Sequence, residues 1–230
     1  MTEPLTIAID GPSGSGKSSV ARAVATRLGI GYLDTGAMYR ALTWYCLDSG
    51  VDLSDEGAVV AATERLPLEM GTDPQHPTVV LDGRDVSREI RTTEVSTAVS
   101  TVATTAPVRP LLQRLQREHM AAIAQRTGGV VAEGRDITTV VAPDARVRIL
   151  LTASEEARLR RRSTELHGTA DAEALEATRD QVVRRDRDDS SVSQFTEAAD
   201  GVVAVDTSDL TLEGSIDAVL QVVAAAAPGD

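Results

Sequence analysis

Gly11-Pro12-Ser13-Gly14-Ser15-Gly16-Lys17-Ser18 reads as glycine, four residues, then Gly-Lys-Ser. Residues of these types at this spacing can wrap a chain of phosphates. The glycines let successive backbone N–H groups turn inward as an anion nest. A helix starting near Lys17 adds the positive end of its dipole. Lys17 offers a compact ammonium for β- and γ-phosphates, and Ser18 a hydroxyl for Mg²⁺. The candidate ATP-binding residues are therefore Gly11, Ser13, Gly14, Ser15, Gly16, Lys17, Ser18 and Ser19, with Lys17 also catalytic. Lys17 is the one lysine in the chain, against 22 arginines.

Three further constellations follow. In Asp34-Thr35-Gly36-Ala37-Met38-Tyr39-Arg40, Thr35 can cap a helix whose N-terminus is a second anion site. Arg40, one turn on, can reach the same phosphate. In Glu133-Gly134-Arg135-Asp136, Glu133 can lie near the waters of a Mg²⁺ ion, Arg135 can clamp a phosphate, and Asp136 can accept from an exocyclic amine. Asp82-Gly83-Arg84-Asp85 has nearly the same letters but reads as a turn. In the third, Arg158, Arg161 and Arg162 share one helical face, with Arg160 paired to Glu156. Arg184, Arg187 and Asp188 repeat that geometry on a second charged helix. Two solvated helices would look the same. Arginine also stabilises charge on a transferring phosphoryl group, so the pair reads as a lid, with Arg158, Arg161, Arg162 and Arg187 as catalytic candidates.

The elements that must position these residues alternate. Leu5–Ile9 is a short apolar run ended by Asp10-Gly11-Pro12, a strand entering a turn. Val20, Val24 and Leu28 then recur at helical spacing up to Gly29. Strands are expected at Tyr32-Leu33, Val130–Ala132, Val147–Leu151 and Val202–Val205. Helices are expected over residues 36–48, 55–65, 94–104, from 107 on (with Val108, Leu111, Leu112 and Leu115 as the buried stripe), 154–166, 173–189 and 212–223. Residues 66–90 carry short strands at Leu66–Met70, Thr78–Leu81 and Val86, with hairpin punctuation between them, so a small antiparallel lobe is expected there. Alternation elsewhere implies a parallel α/β sheet with helices on both faces and ligands at its carboxyl edge, where Asp10, Asp34 and Glu133 fall. The division expected is core 1–65, lobe 66–105, core 106–153, lid 154–191 and core 192–230, with Pro228-Gly229-Asp230 frayed.

Composition removes other classes. The 230 residues carry 23 Lys+Arg against 35 Asp+Glu, a net charge of -12, which argues against nucleic acid as a partner. No apolar run approaches the ~20 residues of a membrane span, and no signal peptide is legible, so the setting expected is cytoplasmic. The single Cys46 makes no internal disulfide, and a small buried hydrophobe is its expected role. His76, His119 and His167 are scattered. Aromatics are 2%, so the core must be aliphatic. The chain has no Asn, which excludes the Asn-Lys-x-Asp base reader of GTPases and the metal-holding Asn of protein kinases. A kinase of a small molecule leads.

These motifs together resemble the bacterial cytidylate kinases. The resemblance rests on Ile9–Lys17, Tyr32–Arg40, Asp85-Val86-Ser87-Arg88-Glu89-Ile90-Arg91, Glu133–Ile137, Thr139–Ala145 and Val205-Asp206-Thr207-Ser208, which span the chain. It implies a P-loop, adenylate-kinase-like fold with an inserted acceptor lobe and a helical lid. It implies transfer of the ATP γ-phosphoryl to CMP or dCMP, with Mg²⁺, by a monomer. By the same resemblance Thr35, Arg40 and Arg135 hold the CMP phosphate, Ser100, Arg109 and Asp136 read the cytosine edge, and Arg184 and Asp188 contact the sugar. Two positions depart from the family. Thr138 stands where Gly is usual. The segment Asp188-Asp189-Ser190-Ser191-Val192-Ser193-Gln194-Phe195 lacks the usual Arg of Asp-Ser-x-Arg-Ala-Val. Other P-loop kinases, acting on UMP, shikimate or a coenzyme precursor, remain the alternative; a non-catalytic nucleotide-binding module is disfavoured because Lys17, Ser18, Glu133 and the lid arginines are all present.

Overall fold

A computed structural model describes residues 3–226, with every side chain among them except those of Asp180, Gln181, Val183 and Arg185. The tail Pro228-Gly229-Asp230 lies outside the described residues. The first strand, β1 (Leu5–Asp10), is the apolar run at the N-terminus; Ile7, Ala8 and Ile9 are fully buried. It is followed by α1 (Lys17–Leu28), which ends on Gly29 in the left-handed conformation. Next come β2 (Gly31–Asp34), α2 (Thr35–Asp48) and α3 (Glu56–Glu64).

The hairpin lobe is β3 (Leu68–Met70), β4 (Val79–Leu81) and β5 (Arg84–Asp85), a three-stranded antiparallel sheet. Its second turn is Asp82-Gly83, both with positive φ (49° and 75°), so only half of the expected turn is a turn; Arg84 and Asp85 pair with β4. Val86 lies one residue past that strand, fully buried. Then follow α4 (Thr93–Thr104) and α5 (Val108–Thr127). Of the expected stripe on α5, Val108 and Leu112 are buried and Leu111 and Leu115 half-buried. The chain returns as β6 (Gly129–Gly134), makes a short wide helical turn over Ile137–Val141, and continues as β7 (Val147–Thr152), α6 (Glu155–His167), α7 (Ala172–Ser190), β8 (Val203–Asp206) and α8 (Leu212–Ala225).

The main sheet is parallel in the order β2-β6-β1-β7-β8. Strand order reverses about β1, the position where such sheets open a crevice at their carboxyl ends. One aliphatic layer, with Ile9, Val20, Val24, Ile149 and Val219, packs α1 and α8 on one face. The other, with Leu33, Met38, Ile123, Ala132 and Ile137, packs α5 and the wide turn on the opposite face. Each fully buried Ile or Leu contributes about 1.5–3 kcal/mol, so aliphatic side chains carry most of this core, with Tyr32 of β2 buried among them. Register matters most for function. Asp34 lies beside Glu133, Ile9 beside Glu133, and Asp10 beside Gly134. Three adjacent strands therefore end level, and their carboxylates share one edge.

Candidate active site

The phosphate loop spans β1 and α1. Gly14 and Gly16 hold φ of 77° and 88°, a region other residues adopt only with strain. Gly11 has no room for a side chain: a Cβ there would lie 2.3 Å from the Leu151 carbonyl oxygen. The N-cap of α1 is Gly16, with no side-chain cap and no acid in the first turn, so its amide end is offered to an anion. The Lys17 ammonium donates to the Pro12 carbonyl at 3.4 Å and sits in the field of Asp34 and Glu133. The Ser18 hydroxyl bonds Glu133.

The β2 end does its work differently from the sequence expectation. Asp34, not Thr35, caps α2, accepting from the Ala37 amide at 2.8 Å. The register explains the exchange. Thr35 lies against β6 and donates its hydroxyl to the Glu133 carbonyl at 2.7 Å. Gly134 lets it approach, since a Cβ on Gly134 would fall 2.5 Å from that hydroxyl. Asp34 also binds Arg40 at 2.8 Å and Arg91 at 3.4 Å. Burial raises the Asp34 carboxyl, but Arg40 and Arg91 outweigh it and leave the group below the usual carboxylate range. Glu133 goes the other way. Burial and the nearby Asp34 charge push it up, against the pull of Lys17, Ser18 and Tyr32, whose hydroxyl donates to it at 2.7 Å.

Arg109 and Asp136 form a second buried group. Arg109 donates to Asp136 at 2.8 Å, to the Ala103 carbonyl at 3.1 Å and to Ser193 at 3.0 Å; Gln113 adds a bond to Asp136 at 2.9 Å. The Tyr39 phenol faces this pair, and burial together with Asp136 pushes it well above its ordinary value. Arg135 lies over the Phe195 ring at 5.0 Å and 2.6 Å from an Asp189 oxygen.

The two charged helices, α6 and α7, meet the phosphate loop. Arg158 donates to the Ser13 carbonyl at 3.0 Å, and Arg161 to the Ser15 carbonyl at 3.3 Å and to Thr207. Arg162 pairs with Glu165 at 2.8 Å and lines the cleft. Asp186 was not singled out by sequence, yet it is central. It accepts from the Ser13 amide at 3.0 Å, pairs with Arg135 at 3.5 Å, and also pairs with Arg158. Asp189, 8% exposed, lines the cleft.

Four expected residues stand elsewhere. Arg187 is 78% exposed on the outer face of α7, and Asp188 is its neighbour. Arg184 and Ser100 line a separate small recess beside Ser13 and Arg162 rather than the main cleft. For the three on α7 the reason is helical phase. Ala174, Thr178 and Val182 form the buried stripe of α7. At about 100° per residue, Asp186 and Asp189 extend that stripe, while Arg184, Arg187 and Asp188 lie far round the helix. The stripe was readable, and would have selected Asp186 and Asp189.

One cleft of about 1040 Å³ joins these groups, from Ser13–Ser19, with Thr35, Arg40 and Glu133, to Arg109, Arg135 and Asp136. A phosphate nest at a switch point, opening onto a second basic and acidic group, defines a P-loop nucleotide-dependent kinase of a small acceptor. The profile of the cytidylate kinase family matches residues 7–225, nearly the whole chain. A "Cytidylate kinase" of Streptomyces griseus is 49% identical over 218 residues, 94% of this chain and 91% of that protein. One of Nocardia farcinica is 51% identical over 223 residues, 96% and 94%. The chain belongs to the cytidylate kinase family. A solved shikimate kinase from Acinetobacter baumannii, 16% identical and covering 99% of this chain and 97% of its own, overlays with a TM-score of 0.43, too remote to bear on the acceptor. No helix among the described residues is long and apolar enough to cross a membrane.

Proposed function

We propose that this chain transfers the γ-phosphoryl group of ATP to CMP or dCMP, giving ADP and CDP or dCDP. The observation that carries the reading is the single cleft with the phosphate loop and the Arg109–Asp136 pair among its walls. ATP threads its phosphates along residues 13–19, with Lys17 against the β- and γ-groups. The acceptor phosphate lies between Thr35, Arg40 and Arg135. Asp136 accepts from the cytosine amine, and Arg109 donates to the ring acceptors. Uracil, with a carbonyl in place of the amine, would set an oxygen against the Asp136 carboxylate. Asp189 supports a sugar contact better than Asp188 does, because it lines the cleft.

The acceptor phosphate is its own nucleophile, so the protein supplies position and charge rather than a strong base. Arg158, Arg161 and Arg162 reach the phosphate loop or cleft from α6, which supports a lid role that brings guanidinium to the transferring group and excludes water. Arg187 points away and has no such support. The donor set near the loop fits Mg²⁺: the Ser18 hydroxyl and the Glu133 and Asp34 carboxylates are hard oxygens, and this cation keeps waters and phosphates as its other ligands. Ser18 would hold the ion, with Glu133 behind it; the ion would neutralise the β- and γ-phosphates. The free buried Cys46 suits a reducing, cytoplasmic setting.

The test is a coupled ADP-release assay with CMP, dCMP, UMP and AMP, with and without Mg²⁺. Turnover with the cytidine nucleotides, dependent on Mg²⁺, is expected. Turnover with UMP or AMP and none with either cytidine nucleotide would overturn the reading.

A further inference from the structure

Asp10 is 1% exposed at the end of β1, and the residue after it, Gly11, begins the phosphate loop. Its carboxylate does not touch that loop's nest. It reaches across to the wide turn after β6. One oxygen accepts from the Ile137 amide at 3.0 Å; the other accepts from the Thr138 amide at 2.8 Å and the Thr138 hydroxyl at 2.6 Å. Thr138 is itself 3% exposed, and its carbonyl accepts from Arg148 of β7 at 3.3 Å. The two residues before Ile137 are Arg135 and Asp136. The carboxylate therefore joins the loop that holds the donor to the loop that holds the acceptor.

We propose that Thr138 is a positioning residue, whose hydroxyl completes a three-donor clamp on Asp10 and so fixes the spacing between phosphate loop and acceptor loop. The inference rests on the CMP kinase reading above. A joint of this kind leaves each substrate's own contacts intact and acts on how the two meet. Misplacement of about 1 Å between reacting groups can cost about 100-fold.

The charge of Asp10 belongs to the device. Burial raises its carboxyl to about 6, with the neighbouring Asp136 adding to the rise, while the three donors pull it down. From the other packed elements, Arg148 of β7 reaches the Thr138 carbonyl, and Glu133 of β6 lies beside Ile9 and bonds Tyr32 and Ser18. Protonation of Asp10 puts a hydrogen where a donor now points, and the clamp loosens as pH falls through that value. Loss of the Thr138 hydroxyl removes a donor that favours the ionised form, so it moves the Asp10 carboxyl further up.

The experiment compares Thr138→Val, Thr138→Ala and Thr138→Ser with the parent. Both Val and Ala are expected to lower kcat about tenfold at pH 7 with KM for ATP within twofold. Their acidic limb should move up by about one pH unit, and the deficit should shrink at pH 8.5. The Ser variant should restore parent kcat and limb. Equal defects in Ser, Ala and Val, or an unshifted limb, overturn the proposal. A ¹³C titration of the Asp10 carboxyl reads the clamp without turnover: an upward shift in Val but not Ser supports it, and one common value overturns it. A parent enzyme inert toward CMP overturns the functional reading alone, and the titration then decides the clamp.

Discussion

Replacing a carboxylate in an active site usually weakens substrate binding; at Asp186 the structure requires the opposite. The Asp186 side chain, 15% exposed, takes the Ser13 amide of the phosphate nest and the guanidinium groups of Arg135 and Arg158. A phosphate that seats on those donors must displace it. Asp186→Asn keeps the shape and one acceptor oxygen but loses the charge. Neither arginine is orphaned: Arg135 keeps Asp189, and Arg158 keeps the Ser13 carbonyl. A hydrogen bond to a charged group is worth about 1.5–3 kcal/mol net, and the amide retains part of it. Competition relieved by about 1–2 kcal/mol tightens ATP about 5- to 30-fold. The assays are KM for ATP at saturating CMP and calorimetric binding of ADP. Asp188→Asn, on the outer face of α7, is the control and should change either value less than twofold. A KM for ATP that rises in Asp186→Asn, with thermal stability unchanged, refutes the competition.

Other consequences are as specific. Arg109→Ala strips Asp136 of its guanidinium and leaves Gln113 as the remaining donor. KM for CMP should rise about 30- to 150-fold, the effect of about 2–3 kcal/mol from a charge-assisted bond, with KM for ATP within twofold; equal losses for CMP and UMP would argue against base reading. Gly14→Ala sets a Cβ 2.6 Å from the Arg158 carbonyl at a φ of 77°. Left-handed backbone alone costs about 1–2 kcal/mol, so the melting midpoint should drop by about 2 °C or more, read by circular dichroism. A midpoint equal to the parent's would mean that α6 does not pack on the loop as found.

The order of strands and helices was legible because each apolar run is short, β-branched and closed by Gly or Pro. Boundaries held to within a residue or two. The wide turn at Ile137–Val141 was not legible, since Ile137-Thr138-Thr139-Val140-Val141 has β-forming letters. What bends it is Asp10, 127 residues away in sequence, through the Ile137 and Thr138 amides. In the site, Lys17, Ser18, Arg40, Arg109, Arg135 and Asp136 were marked by local motifs or by family likeness. Thr35 was assigned the cap that Asp34 makes, because strand register, which decides between adjacent residues, is not written in either one. On α7 the stripe of Ala174, Thr178 and Val182 is sparse among charged letters, and its phase, rather than the run of charges, carries Asp186 and Asp189 inward.

The acidic composition then has a local meaning. Arg40 is paired with Asp34, Arg109 with Asp136, Arg135 with Asp189 and Arg158 with Asp186, each pair at most 15% exposed. Unpaired guanidinium groups this close would repel one another and cost desolvation. The carboxylates hold them in place, so the cleft is organised before any phosphate arrives. The consequence is that phosphate affinity here is a difference between two anions competing for the same donors. On the proposed function, carboxylates whose every donor would also serve substrate, as those of Asp186 would, set the strength of binding. Those with a structural donor of their own, as Asp34 has in the Ala37 amide, set the shape of the site. Substitution to the amide separates the two kinds, tightening substrate in the first and loosening it in the second.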